Sequence, residues 1–264
     1  MEKLTGLIAA PHTPFDAHGE VNYPVIDQIA EHLICQGVKG VYVLGTTGEG
    51  IHCSVAERKK VAERWVAASH GKLSITLHTG ALSIADSLEL SRHAETLDIF
   101  ATSVIGPCFF KPSNVDDLVE YCRLNAAAAP SKGFYYYHSG MSGLSLDMEQ
   151  FLIAAADKIP NLSGMKFNSS DMYEFQRCLR VNNGQFDIPF GVDEFLPAGL
   201  ACGAVGAVGS TYNYAAPLYH RLIDSFNQGN HQDVAACMDK VIAIIRVLVQ
   251  YGGVAAGKLA LQLH

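Results

Sequence analysis

The sequence is short of positive charge. Against 26 Asp and Glu stand only 19 Lys and Arg, a formal net charge of −7. The densest basic stretch, Arg58-Lys59-Lys60 with Arg64, is interleaved with Glu57 and Glu63 and is expected to be a solvated helix face. A nucleic-acid backbone or an anionic membrane needs a basic cluster, so neither is an expected partner. Long apolar runs are also missing: Val241 to Val249 is the most apolar stretch, and it is short and carries Arg246. Met1-Glu2-Lys3-Leu4 leads into a strand-like segment without the marks of a secretory leader. The 7 cysteines contain no C-x-x-C and the 11 histidines no H-x-x-x-H or H-E-x-x-H. Buried free thiols, a reducing cytoplasmic location and no metal site are therefore expected. Also absent are G-x-G-x-x-G and G-x-x-x-x-G-K-[ST], the phosphate fingerprints of open nucleotide-binding sheets.

What is present is ample core, 49% hydrophobic residues against 17% charged over 264 positions, and a recurring unit. Each unit has a short β-branched or aromatic run, a turn, a helix start signal and an amphipathic stretch. Strands are expected at 7–10, 41–44, 74–77, 100–105, 134–137, 164–167, 188–191 and 203–209. Helix starts are expected at Asn22 with Pro24, at the Ser54/Glu57 capping box, at Ser83, at Ser113, near Ser145, and at a second box of Asp171 and Glu174. Helices over 217–227 and from about 231 to 251 follow. Such alternation implies parallel strands with helical crossovers. The expected architecture is an α/β fold, a (β/α)8 TIM barrel over 1–228 followed by a helical extension over 229–264.

In a barrel the reactive groups lie at the carboxyl ends of the strands. Lys166 is unusual in sitting within a strand, where alternation sends Met165 and Phe167 outward and Lys166 toward the axis. A desolvated amine there is a nucleophile for a carbonyl, and an ion pair across the lumen is the competing reading. Tyr137 ends the neighbouring strand and is either a proton relay or an aromatic of a packing layer; Tyr136 points the other way. Gly45-Thr46-Thr47-Gly48-Glu49-Gly50 offers backbone N–H groups and hydroxyls suited to a carboxylate. Asp193-Glu194 is a pair of acids that can bind hydroxyls or a metal, with an ordinary helix cap as the alternative for Asp193. Ser210-Thr211-Tyr212-Asn213-Tyr214 adds hydroxyls at the last strand.

Taken in order, Gly45-Thr46-Thr47-Gly48-Glu49, Tyr137, Gly164-Met165-Lys166, Gly191-Val192-Asp193-Glu194 and Gly209-Ser210-Thr211-Tyr212-Asn213 resemble the motifs of the N-acetylneuraminate lyases. These belong to the dihydrodipicolinate synthase/N-acetylneuraminate lyase superfamily of class I aldolases. The resemblance spans essentially the whole chain. It implies reversible cleavage of a sialic acid to N-acetylmannosamine and pyruvate through a Schiff base on Lys166, without a cofactor. It further implies proton relay by Tyr137, carboxylate binding by Thr46 and Thr47, contacts to the sugar chain from Gly191, Asp193, Glu194 and Ser210, and a homotetramer. Dihydrodipicolinate synthases carry an arginine shortly after the tyrosine, and His138-Ser139-Gly140-Met141-Ser142-Gly143 has none, which favours the sialate branch. The chain departs from the pattern in a shorter segment after Tyr137, in Phe109 and Phe110 where relatives carry an interface tyrosine, and in Asn168 where a hydroxyl residue is usual. It also ends within a helix over 258–264 that looks cut short. A 2-keto-3-deoxy sugar-acid aldolase and a catalytically silent carboxylate-binding barrel are the competing functions.

Overall fold

The computed structural model describes residues 3–262; expectations touching Met1, Glu2, Leu263 and His264 lie outside them. Strands and helices alternate in chain order: β1 (Gly6–Ala9), α1 (Tyr23–Cys35), β2 (Gly40–Val43), α2 (Val55–Ser69), β3 (Ser74–His78), α3 (Ile84–Glu95) and β4 (Ala101–Ile105). Then come α4 (Val115–Ala127), β5 (Gly133–Ser139), α5 (Met148–Ala156), β6 (Leu162–Asn168), α6 (Met172–Arg180), α7 (Leu196–Cys202) and β7 (Gly206–Gly209). Helices α8 (Tyr212–Asn227), α9 (His231–Gln250) and α10 (Val254–Gln262) complete the order. The strands form one parallel sheet in the order β6-β5-β4-β3-β2-β1-β7.

The expected strand at 188–191 is not a regular one; residues 187–191 instead act as a stave that closes the sheet between β6 and β7. Phe190 bridges Phe167 on one side and Ala207 on the other. The Met165 and Phe167 amides donate to the Asp187 and Pro189 carbonyls at 2.9 and 3.0 Å, and Gly191 N–H donates to Phe167 O at 2.7 Å. Pro189 has no N–H to contribute, which keeps the ladder incomplete. Close approach of this stave also requires glycine at 164, where a Cβ would overlap the Asp187 carbonyl. Inside the ring, Leu4, Ile8, Tyr42, Ala101, Tyr135 and Val208 pack together. Outward residues such as Met165, Phe167 and Tyr136 pack against the helices. The barrel with C-terminal helices is as expected.

Several local expectations shift. Ser54 and Glu57 form the capping box, and Ser83 caps α3. The caps of α4 and α5 are Asn114 and Asp147, not Ser113 and Ser145. Asn22 precedes α1 without a side-chain cap, the start being set by Pro24. Asp171 caps α6, but Glu174 does not return the bond; its Oε1 accepts from the Met148 N–H at 3.0 Å instead. Helix α8 begins five residues before Pro217, which lies inside it beyond a kink at Ala215. The Asn213 carbonyl, which would have taken the missing Pro217 N–H, accepts from His32 Nε2 at 3.0 Å. Strand β7 starts only at Gly206, because Gly203 closes α7 with a left-handed φ of 106°.

Arg58 contradicts the solvated-face reading of its stretch. It is buried, and its guanidinium donates to the His78 and Gly80 carbonyls at 2.6 and 3.0 Å. Lys59 and Arg64 do lie outward, paired with Glu89 and Asp27. All seven cysteines are free thiols, but only Cys122, Cys178 and Cys237 are buried, and Cys35 is exposed. Among the described residues, no helix is long and apolar enough to cross a membrane.

Candidate active site

Strand alternation brings Lys166 inward near the carboxyl end of β6, where only 6% of the residue is exposed. Its Nζ lies 4.2 Å from the centre of the Tyr137 ring and 4.6 Å from that of Tyr42. No ion pair among the described residues includes Lys166. The expected alternative, a lysine neutralised by a carboxylate across the lumen, is therefore not what the fold builds; the amine is held between two aromatic faces.

Tyr137 stands directly opposite Lys166 in the β5–β6 register. Its hydroxyl is 3.4 Å from Thr46 Oγ1. Burial pushes the phenol up, but the cationic form of Lys166 and hydrogen bonds from Thr46, Ser139 and Lys166 outweigh burial, and the net displacement is downward. An acidified phenol beside an amine can take and return a proton. Tyr135, one layer deeper on the same face, instead donates to Asp187 Oδ2 at 2.7 Å and is structural.

Thr46 and Thr47 follow β2 in a tight turn bracketed by two left-handed residues, Leu44 (φ 62°) and Glu49 (φ 51°). The Glu49 N–H closes it onto Thr46 O at 3.0 Å, and Thr13 Oγ1 donates to Gly48 O at 2.6 Å. At the carboxyl ends of the strands opens a cavity of about 990 Å³. Lys166, Thr47, Asn168, Gly191, Asp193, Glu194 and Ser210 all line it. Thr46 and Tyr137 are not on its wall; they reach it through each other and through Lys166.

Asp193 is not a helix cap. It is buried, and its Oδ2 accepts from the Thr211 N–H at 3.0 Å and from Thr211 Oγ1 at 2.6 Å. Its Oδ1 has no partner among the described residues. Burial pushes the carboxyl up, against the hydrogen bonds from Thr211. Glycine at 209 is what admits this side chain, since a Cβ there would overlap Oδ1. Asn168 Nδ2 donates to Ser139 Oγ at 3.3 Å, tying β6 to β5 at the mouth.

Residues 3–264 match the dihydrodipicolinate synthetase family. The chain belongs to that family. It is 42% identical over 255 residues to the N-acetylneuraminate lyase of Mus musculus, covering 95% of this chain and 80% of the mouse protein. The structure of the Proteus mirabilis N-acetylneuraminate lyase is 81% identical and superposes with a TM-score of 0.99, over 100% of this chain and 89% of that one. A Ruminococcus gnavus sialic acid aldolase, described as a catalytic lysine mutant, is 29% identical with a TM-score of 0.87, over 92% of this chain and 79% of that one. The family membership agrees with the resemblance carried by the five motifs.

Other residues of this family member were not singled out from sequence. Tyr42 lies under Lys166 and hydrogen-bonds Ser103; inward alternation along β2 was the available signal. His78 sets its ring edge-on to Tyr137, with centres 6.1 Å apart, and its Nε2 accepts the Ile105 N–H at 3.0 Å. Burial, with Arg58 and Lys166 adding to it, pushes this imidazole down to about 3, so it stands neutral as an acceptor. On the far side of the cavity His138 Nε2 lies 3.7 Å from Glu174 Oε2. Burial pushes His138 down to about 4 and Glu174 up. Nothing in the linear sequence joins these two. Among the described residues, no group of three or more His, Cys, Asp or Glu is arranged to hold a metal ion.

Proposed function

We propose that this chain is a class I aldolase that cleaves N-acetylneuraminate reversibly to N-acetylmannosamine and pyruvate through an imine on Lys166. The observation that carries this reading is an amine, buried and without a carboxylate partner, on the wall of a large polar cavity beside an acidified phenol. Such an amine adds to the ketone of the open-chain sugar acid and loses water to give the imine. Electron withdrawal by the protonated imine then accepts the pair released as the carbon–carbon bond breaks. Tyr137 takes the proton from the hydroxyl that becomes the aldehyde and returns one to the resulting enamine. Water releases pyruvate from Lys166, and no resident cofactor is called on.

Thr46, Thr47 and the amides of their turn are assigned to the carboxylate of the keto acid. Gly191, Asp193, Glu194, Ser210 and Asn168, arranged around the same cavity, are assigned to the hydroxylated chain. Asp193 and Glu194 bring carboxylates to that wall, and such acceptors suit hydroxyl donors. A polyol end suits these acceptors better than the second carboxylate of a dihydrodipicolinate-type substrate. The relatives named N-acetylneuraminate lyase support the same choice.

A homotetramer in the cytoplasm and a division into barrel (1–228) and extension (229–264) belong to the same reading. Phe109 and Phe110, 80% and 86% exposed, support association through the mouth side. Cleavage of N-acetylneuraminate, followed by identification of both products, tests the function. Faster turnover of a shorter 2-keto-3-deoxy acid would replace it with the related aldolase. Pyruvate binding by calorimetry without any turnover would make the chain a silent barrel.

A further inference from the structure

Helix α10 comes from outside the strand–helix repeat, yet it reaches the turn that follows β2. Lys258 on α10 pairs with the Glu49 carboxylate, and its Nζ lies 4.2 Å from the centre of the Phe15 ring. The two side chains keep only 26% and 31% of their surface exposed, so the pair is partly desolvated. Glu49 is held in an unfavoured conformation: its φ is 51°, and it is not glycine. Its N–H is bonded to Thr46 O and its carbonyl accepts the His52 N–H at 2.8 Å. Such a conformation persists only where its surroundings hold it. Thr13 holds Gly48 from the side of β1. Lys258 holds Glu49 from the side of α10. Between these anchors and β2 lie Thr46 and Thr47.

We propose that Lys258 is a positioning residue, whose ion pair with Glu49 fixes the Gly45–Gly50 turn in the conformation that presents Thr46 and Thr47 to the carboxylate of pyruvate. The inference rests on the aldolase reading above. It gives the C-terminal extension a part in substrate binding, although no residue of α10 touches the reacting atoms. A merely structural α10 would stabilise the barrel without changing how pyruvate is held.

The two roles separate by measuring borohydride-trapped pyruvate on Lys166 against pyruvate concentration, with intact protein. In Lys258→Ala the half-saturating pyruvate concentration rises about five- to thirtyfold, the loss expected of one charge-assisted contact, while the labelled fraction at saturation is kept. Lys258→Arg, which retains charge and the approach to Phe15, returns the wild-type value. Glu49→Gln shifts the dependence in the same direction, and being isosteric it serves if Lys258→Ala does not fold. Lys158→Ala, which removes an exposed pair with Asp116, leaves the dependence unchanged. An unchanged half-saturation in Lys258→Ala or Glu49→Gln, whatever happens to thermal stability, overturns the positioning role. So does an Arg variant as impaired as Ala. A wild type that never labels with pyruvate would strike instead at the aldolase reading itself.

Discussion

Asp193 lines the cavity, keeps one carboxylate oxygen on Thr211 and has the other buried without a hydrogen-bond partner among the described residues. That division of labour predicts the effect of Asp193→Asn. The sugar-acid KM rises about 10- to 100-fold, as for loss of a charge-assisted acceptor, while pyruvate labelling of Lys166 is little changed. A steady-state series on both ligands checks it. Tyr137→Phe keeps the ring against Lys166 and removes the hydroxyl proposed as the relay, together with its contact to Thr46, so kcat is expected to fall about 10²- to 10⁴-fold with an unaltered fold. Circular dichroism and turnover measured on one preparation separate the two effects. At this scale the sequence was legible where chemistry breaks a pattern: a lysine inside a strand, a tyrosine closing its neighbour, threonines between glycines. It was not legible where partners come from distant units. Arg58 looked like one more surface cation because helical spacing does not say that carbonyls of the β3 end will receive it. Asp193 looked like a cap because Thr211, 18 residues later, is invisible until β7 is in place.

The elements follow from punctuation that is local. Ser54 with Glu57, Ser83 and Asp171 mark helix starts by bonding amides three residues ahead. Ser54→Ala should cost about 1 kcal/mol, read as a shift in the denaturant midpoint, without altering activity. Gly164→Ala belongs to another class, since the methyl would meet the backbone of the closing stave. Its cost should be about 1–3 kcal/mol or more, and activity should fall with it because β6 carries Lys166. A Gly164→Ala variant as stable as wild type would show that the stave can move away. Two prolines explain where the element reading failed. Pro189 denies the closing stave a regular ladder. Pro217 reads as a helix start, yet it is accommodated inside α8 by the Ala215 kink and by His32 on the released carbonyl. Both accommodations depend on tertiary neighbours, which no window of sequence contains.

For the whole molecule, closure of the ring is what brings residues 46, 137, 166 and 193 to one mouth, and the same closure buries histidines. His12, His78 and His138 are pushed, chiefly by burial, from 6.5 to about 4, 3 and 4. A depressed folded value means that the unfolded chain takes up protons first. Their contribution to stability is complete above 6.5 and is lost as the pH falls toward 4 to 3. Thermal midpoints should therefore drop with acidification below about 6.5, and less steeply in His78→Gln. A flat profile across that window would contradict the burial of neutral imidazoles.

The proposed aldolase chemistry stands or falls with Lys166 as the amine that condenses with the keto acid. Incubation with pyruvate and borohydride, followed by peptide mass mapping, tests it most directly. One reduced pyruvyl group is expected, on the peptide bearing Lys166, and none in Lys166→Ala. An adduct on another lysine, or one that survives in Lys166→Ala, would contradict it.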